Sequence, residues 1–183
     1  MNKLFRAFKC LIINNIRFIF IKIFHFNSFK FSFKNLISPS TIIDIQGKGK
    51  LTLGKMVRTK NNCSIEVRDD GIIEIGNNVF MNNNVQITAH KKLTIKENTY
   101  IGPNVVIVDH DHLFSKDGIK PKEFKCKEVN IGKNVWIGAN VVILKGTRIG
   151  DNSIIGAGSI VSGEIDGSSI MIQKKEISIK NIE

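Results

Sequence analysis

Aliphatic residues recur every six positions through most of this chain. The segments LGKMVR (53–58), IGNNVF (75–80), IGPNVV (101–106), IGKNVW (131–136), IGANVV (137–142) and IGDNSI (149–154) show the unit: an aliphatic residue, often Gly, two polar residues, then a small or β-branched one. Continuing the phase gives fifteen units, starting at 53, 59, 65, 75, 81, 87, 95, 101, 107, 131, 137, 143, 149, 155 and 161. Fourteen of the fifteen first positions hold Leu, Ile, Met or Val, and Thr59 is the exception. Self-similarity at a fixed period is the mark of a repeat architecture. Six residues make a short strand and a turn. Three such units predict one triangular coil, and coils stack at the inter-strand spacing of roughly 4.8 Å. The predicted body is an all-β prism of about five coils, with the first-position aliphatics pointing inward as one continuous core.

The polar positions support the same picture. The Gly after the aliphatic, as at 54, 76, 102, 132, 138, 150 and 156, lets the backbone turn where a side chain would crowd. Asn at the fourth position (78, 98, 104, 134, 140, 152) tolerates left-handed turn geometry. The phase slips by four residues near 71–74, by two near 93–94, and by eighteen at 113–130. That last segment, LFSKDGIKPKEFKCKEVN, has Gly, Pro and many Lys and no six-residue pattern, so it is expected to leave the prism as a loop.

Charge divides the chain differently. Seven cations (Lys3, Arg6, Lys9, Arg17, Lys22, Lys30, Lys34) precede the first acidic residue, Asp44, out of a net charge of +11. Nine of the twelve Phe also fall within the first 33 residues. The expected organisation is a basic, Phe-rich leader over 1–41 (helix plus strand), the repeat body over 42–170, and a tail over 171–183. In the leader, Leu4, Phe8, Leu11, Ile12, Asn15, Ile19 and Ile23 share one helical side. Two readings stay open: a helix on an anionic membrane surface, cations outward and Phe and Ile inserted, or a helix packed on the body or a neighbouring subunit. The broken apolar run and the lack of a cleavage-like site argue against a signal peptide. Nucleic acid is not an expected partner, since the body has no recognised binding motif. Cys10, Cys63 and Cys126, an odd number without CxxC spacing, argue against a disulfide framework and suit a reducing, cytoplasmic compartment, with peripheral attachment to the inner face of the membrane as the leader's alternative.

The repeats, the loop placed after Asp109-His110-Asp111-His112, and IGKNVWIGANVVILKGTRIGDNSIIGAGSIV resemble the hexapeptide-repeat acyltransferases, in the style of the galactoside, maltose and nodulation-type sugar O-acetyltransferases and those of capsule and O-antigen clusters. The resemblance covers about residues 42–165. It implies a left-handed parallel β-helix, a homotrimer with active sites between subunits, acetyl-CoA as co-substrate and a carbohydrate acceptor, with no metal. By ungapped register it puts the catalytic histidine on His112 and the tryptophan near the acetyl-CoA arm on Trp136. It matches the strand before the active site to Phe80-Met81-Asn82-Asn83-Asn84. It makes the Ala139 N–H an oxyanion donor and puts Ala157, Ser162 and Gly163 against coenzyme A. Two positions depart from the family. His90 stands where an acidic residue often helps the histidine, and the usual glycine-x-proline-alanine-lysine ending is replaced by SSIMIQKKEISIKNIE.

The residue chemistry fits that implication without requiring it. A sugar hydroxyl is a weak nucleophile, so acyl transfer from a thioester wants a general base, a positioned acceptor and oxyanion donors. On an extended strand His110 and His112 share a face, and a neighbouring carboxylate can fix a tautomer. His112 is the expected base and His110 its competitor; a polar loop entry without chemistry is the bland reading, and a zinc site using His90, His110 and His112 lacks the spacing of the zinc-binding hexapeptide enzymes. Asn82 and Asn84 are expected on one face of one strand, with Asn82 on the acceptor sugar or in an asparagine ladder. Trp136, the single Trp, projects outward, against a pantetheine arm or a neighbouring subunit. Lys174 and Lys175 are candidates for the coenzyme's phosphates or for plain solvation. The expected activity is O-acetyl transfer to a surface polysaccharide or its precursor. A small free sugar or antibiotic as acceptor, or a non-catalytic assembly module, are the alternatives.

Overall fold

A computed structural model describes residues 3–174. An α-helix, α1 (Lys3–Phe24), is followed by a β-solenoid whose short strands form three parallel sheets, of seven, six and six strands. The first face runs from Phe29–Lys30 to Glu164–Ile165, the second from Arg58–Thr59 to Ile170–Met171, and the third from Ile42–Ile45 to Ile160–Val161. All fifteen first positions of the six-residue units are buried, Thr59 included. They stack in columns, such as Ile65, Ile87, Ile107, Ile143 and Val161. Burying an aliphatic side chain of this size is worth roughly 1.5–3 kcal/mol, so the columns hold the prism together.

The corners obey local sterics. All eight asparagines at fourth positions, Asn62 and Asn84 included, take positive φ between 54 and 60°. Several are linked along the prism: Asn84 donates to Asn104 (2.9 Å) and Asn104 to Asn140 (3.0 Å). A Cβ on Gly138 would lie 2.6 Å from the Ala157 nitrogen, so at that corner close approach rather than φ requires glycine. Replacing Asn104 by Ala forces an ordinary residue to φ 57° and breaks the ladder. The expected cost is about 1–2 kcal/mol in denaturant unfolding, with Asn104→Gly costing less because glycine adopts positive φ freely.

The solenoid has about six turns rather than five. The extra turn lies where the six-residue phase is invisible. Phe29–Lys30 pairs in parallel with Leu51–Thr52, and Leu36 bridges to Arg58, so the first coil begins inside the Phe-rich leader. Helix α1 caps the open end of that coil. Phe18 is fully buried, edge-on to Phe29 (5.4 Å) and Phe31 (5.0 Å). Beside it Cys10 donates to the Ile37 carbonyl (3.2 Å), Asn14 to the Asn35 carbonyl (3.5 Å) and Arg17 to the Thr41 carbonyl. Of the apolar side read from the sequence, Phe8, Ile12, Ile19 and Ile23 are exposed, while Leu11 and Asn15 are half-buried. A solenoid end presents unpaired backbone carbonyls, so polar Asn14 and Arg17 suit it better than an apolar stripe.

The expected loop at 113–130 is a β-hairpin that starts earlier. Strands His110–Ser115 and Gly118–Cys126 pair antiparallel, with a register shift between His112 and Leu113. The chain rejoins the prism at Val129–Ile131.

Candidate active site

The chemistry-bearing residues gather at the corner where the third face ends. The Val106–Val108 strand runs into Asp109, which is fully buried. Its carboxylate accepts the backbone N–H of His90 (2.9 Å) and of Lys91 (2.7 Å) from the preceding coil, and Nδ1 of His110 (3.2 Å). Its carbonyl accepts the N–H of Lys127 (2.8 Å), which closes the base of the hairpin. Burial pushes the Asp109 carboxyl up, but the His110 hydrogen bond and the two amide donors outweigh it and hold it below the usual carboxylate range. Asp109 is thus an anionic pin joining two coils, the hairpin and one imidazole.

Three histidines meet there. The His90 and His110 rings lie edge to face at 4.3 Å, and Asp69, one coil further back, bonds His90 Nδ1 at 2.9 Å. Phe124, opposite His112 on the returning hairpin strand, lies 4.0 Å from the His90 ring, 4.7 Å from His112 and 5.4 Å from His110. With its Nδ1–H on a carboxylate, the His110 ring presents Nε2 as a base. Its side chain is 15% exposed. The His112 residue is exposed, its ring stacks only on Phe124, and its side chain makes no hydrogen bond among the described residues. Asp111 pairs with Lys145, on the next coil of the same edge. Cys126 faces His110 across the hairpin. Burial pushes its thiol up, the charges of Asp109 and Asp69 push it further, and Lys91 offsets them in part. It is therefore poorly suited to act as a thiolate nucleophile. Among the described residues, no group of three or more His, Cys, Asp or Glu is arranged to hold a metal ion.

The other expected site residues fall into two groups. Ser162 and Gly163 follow the Ile160–Val161 strand, at the same prism edge as the histidines and two coils further along. Asn82, Ala139 and Ala157 lie at the opposite edge of the third face. Asn82 and Asn84 do not share a strand: the Phe80–Met81 strand ends first, and both sit in the turn that follows. Asn84 joins the ladder, whereas the Asn82 oxygen accepts the N–H of Asn83 (2.9 Å) and its amide nitrogen has no partner among the described residues. At the comparable place on another corner, Asp151 accepts the Lys133 N–H at 2.9 Å. Ala157 cannot cap Ala139 that way, and the Ala139 N–H has no partner among the described residues. Trp136 points out of the second face, 58% exposed, beside Tyr100 in a shallow hollow with Asn98, Asn134 and Val135. Lys174 is exposed, and Lys175 lies outside the described residues.

Asp69 and Phe124 were missed in the sequence. The spacing from Asp69 to His90 to His110 is about one coil, which is a usable signal. Phe124 carries none, because the hairpin has no six-residue phase.

The bacterial transferase hexapeptide (six repeats) family matches residues 128–163, which include Trp136, Ala139, Ala157, Ser162 and Gly163 but not the histidines. Over 136 residues the chain is 30% identical to a protein of Escherichia coli K12 named "Putative lipopolysaccharide biosynthesis O-acetyl transferase WbbJ", covering 69% of each. The chain belongs to the hexapeptide-repeat acyltransferases. It is also similar to another member, the galactoside O-acetyltransferase of E. coli K12, with 44% identity over 93 residues, 51% of this chain and 46% of that one. It therefore spans about half the length of that relative. Among solved structures, a maltose O-acetyltransferase from Clostridium difficile 630 superposes with a TM-score of 0.52 and 32% identity, over 64% of this chain and 62% of that one. This member of the family has a histidine corner anchored by a buried aspartate, and a helical cap over its first coil.

Proposed function

We propose that this protein is an acetyl-CoA-dependent O-acetyltransferase acting on a sugar hydroxyl of a surface polysaccharide or its precursor, in the cytoplasm. The observation that carries the reading is the Asp109-pinned histidine corner on a chain related over two thirds of its length to an acetyl transferase named for lipopolysaccharide biosynthesis.

The proton goes from the sugar hydroxyl to the base as the oxygen attacks the thioester carbonyl. His112 is the base by register, and it is exposed to an incoming acceptor. The oxyanion of the tetrahedral intermediate takes the open Ala139 N–H. As the intermediate collapses, the C–S bond breaks and the imidazolium returns the proton to the departing thiolate. Asn82 offers its free amide to the acceptor, Trp136 flanks the pantetheine arm, and Ala157, Ser162 and Gly163 line its path. The second reading gives the base to His110, and one observation favours it: Asp109 bonds its Nδ1 and so fixes its tautomer.

Asn82 and Ala139 stand on one edge of the third face and the histidines on the other. One chain does not close a site containing both, so a homotrimer with clefts between subunits completes the reading. Release of free thiol from acetyl-CoA, measured with lipid-linked or soluble oligosaccharides, free sugars and no acceptor, tests it. Acceptor-dependent release with an oligosaccharide is expected. Release only with a free sugar or an antibiotic moves the substrate class, and no release with any acceptor leaves an assembly module.

A further inference from the structure

Helix α1 is amphipathic in an unusual sense, because its polar side is the packed one. Asn14, Arg17 and Phe18 face the first coil, while Ile12, Ile16, Ile19, Phe20, Ile23 and Phe24 are all exposed on the other side, Phe24 by 80%. These residues form one continuous arc along about three turns of helix. The strip continues onto Phe26 and Phe33, at 71% and 61% exposure. Between helix and first coil lies an apolar hollow walled by Ile19, Ile23, Phe29 and Phe31, with Lys22 and Lys30 at its margin. An apolar surface of this extent on a soluble domain marks a contact.

Charge decides what covers it. The first 43 residues hold seven cations and no carboxylate. A second copy laid on this face would bring two such sets together with nothing to neutralise them. An anionic bilayer offers hydrocarbon to the Ile and Phe side chains and phosphates to the lysines. No helix among the described residues is long and apolar enough to cross a membrane. We infer that α1 is a membrane-surface anchor: it lies in the interface of an anionic bilayer with its Ile12–Phe24 face inserted, while its polar face clamps the end of the solenoid.

Flotation of the full-length protein with vesicles tests the assignment. Binding to phosphatidylglycerol–phosphatidylcholine vesicles is expected to be about tenfold or more tighter than to phosphatidylcholine alone, and to weaken as salt is raised. The triple variant Ile16→Ser, Ile19→Ser, Phe20→Ser should lose at least about tenfold in binding, with circular dichroism and light-scattering mass unchanged. Because that variant alters the helix itself, Lys30→Gln with Lys34→Gln provides a second arm: both side chains are exposed outside α1, and their loss should weaken anionic binding severalfold without touching the fold. Equal binding to both vesicle types, no binding to either, or a fall in oligomeric mass in the triple variant would each overturn the anchor, the last by showing that copies of the chain cover this face.

Discussion

Replacing His112 by Ala lowers the acetyl-transfer rate by about 10²–10⁴-fold, the usual worth of general-base assistance, while the affinity for acetyl-CoA changes little. The split follows from placement. Of the residues proposed to line the coenzyme path, Trp136, Ala139 and Ala157 lie on other strands and corners of the prism, and Ser162 and Gly163 lie two coils further along the histidine edge. The fold survives, since His112 is an exposed hairpin residue that touches Phe124 and fills no core column. His110→Ala costs less under this assignment, because it removes a ring that packs on His90 and Phe124 and leaves the base in place. Steady-state kinetics of the two variants, with coenzyme affinity measured directly, separate the possibilities. A dead His110→Ala beside an active His112→Ala transfers the base to the Asp109-bonded ring. Two fully active variants would remove histidine catalysis from the proposal.

The body of the fold was legible because its rule is repetitive. Each coil buries the same three positions, so Ile65, Ile87, Ile107 and Ile143 announce one column several times over. The left-handed turns were legible for a similar reason: asparagine at a fixed place tolerates a backbone that other residues avoid. What failed to show was whatever occurs once. Phe29 starts a coil with a different residue type, and its burial comes from Phe18 and Phe31 rather than from the six-residue phase. The hairpin is mostly exposed along both strands, so no buried column repeats through it. Helix α1 stayed open between two readings, because its apolar pattern does not say whether that side faces the protein. An isolated helical wheel measures apolarity, and a cap over backbone carbonyls selects hydrogen-bond donors instead. At the candidate site the four residues of Asp109–His112 stood out as chemistry, but their ranking needed partners. The role of Asp109 depends on two amides nineteen and eighteen residues away, and no local pattern encodes such a pair.

That dependence makes Asp109 the most sensitive structural position of the site. Asp109→Ala removes the acceptor of the His90 and Lys91 N–H groups and unties His110. Hydrogen bonds to a charged acceptor are worth about 1.5–3 kcal/mol each. The expected loss is about 3–5 kcal/mol in unfolding free energy. Asp109→Asn should lose less, since its oxygen still accepts from one amide while its NH₂ cannot accept from the other. The dependence on pH distinguishes the charge from the shape. The folded carboxyl titrates below its unfolded counterpart, so in the interval between them the unfolded chain binds more protons and stability rises with pH. The stabilisation from Asp109 is therefore complete above the ordinary carboxylate range, about pH 4, and is lost as the pH falls through the lowered folded value. In Asp109→Asn that part of the acid sensitivity should vanish, leaving a flatter profile of unfolding free energy below about pH 4 than in the parent protein. Denaturant unfolding of both proteins across that range measures it. Parallel profiles would mean that the folded carboxyl titrates together with its unfolded counterpart, so that its charge adds nothing to stability.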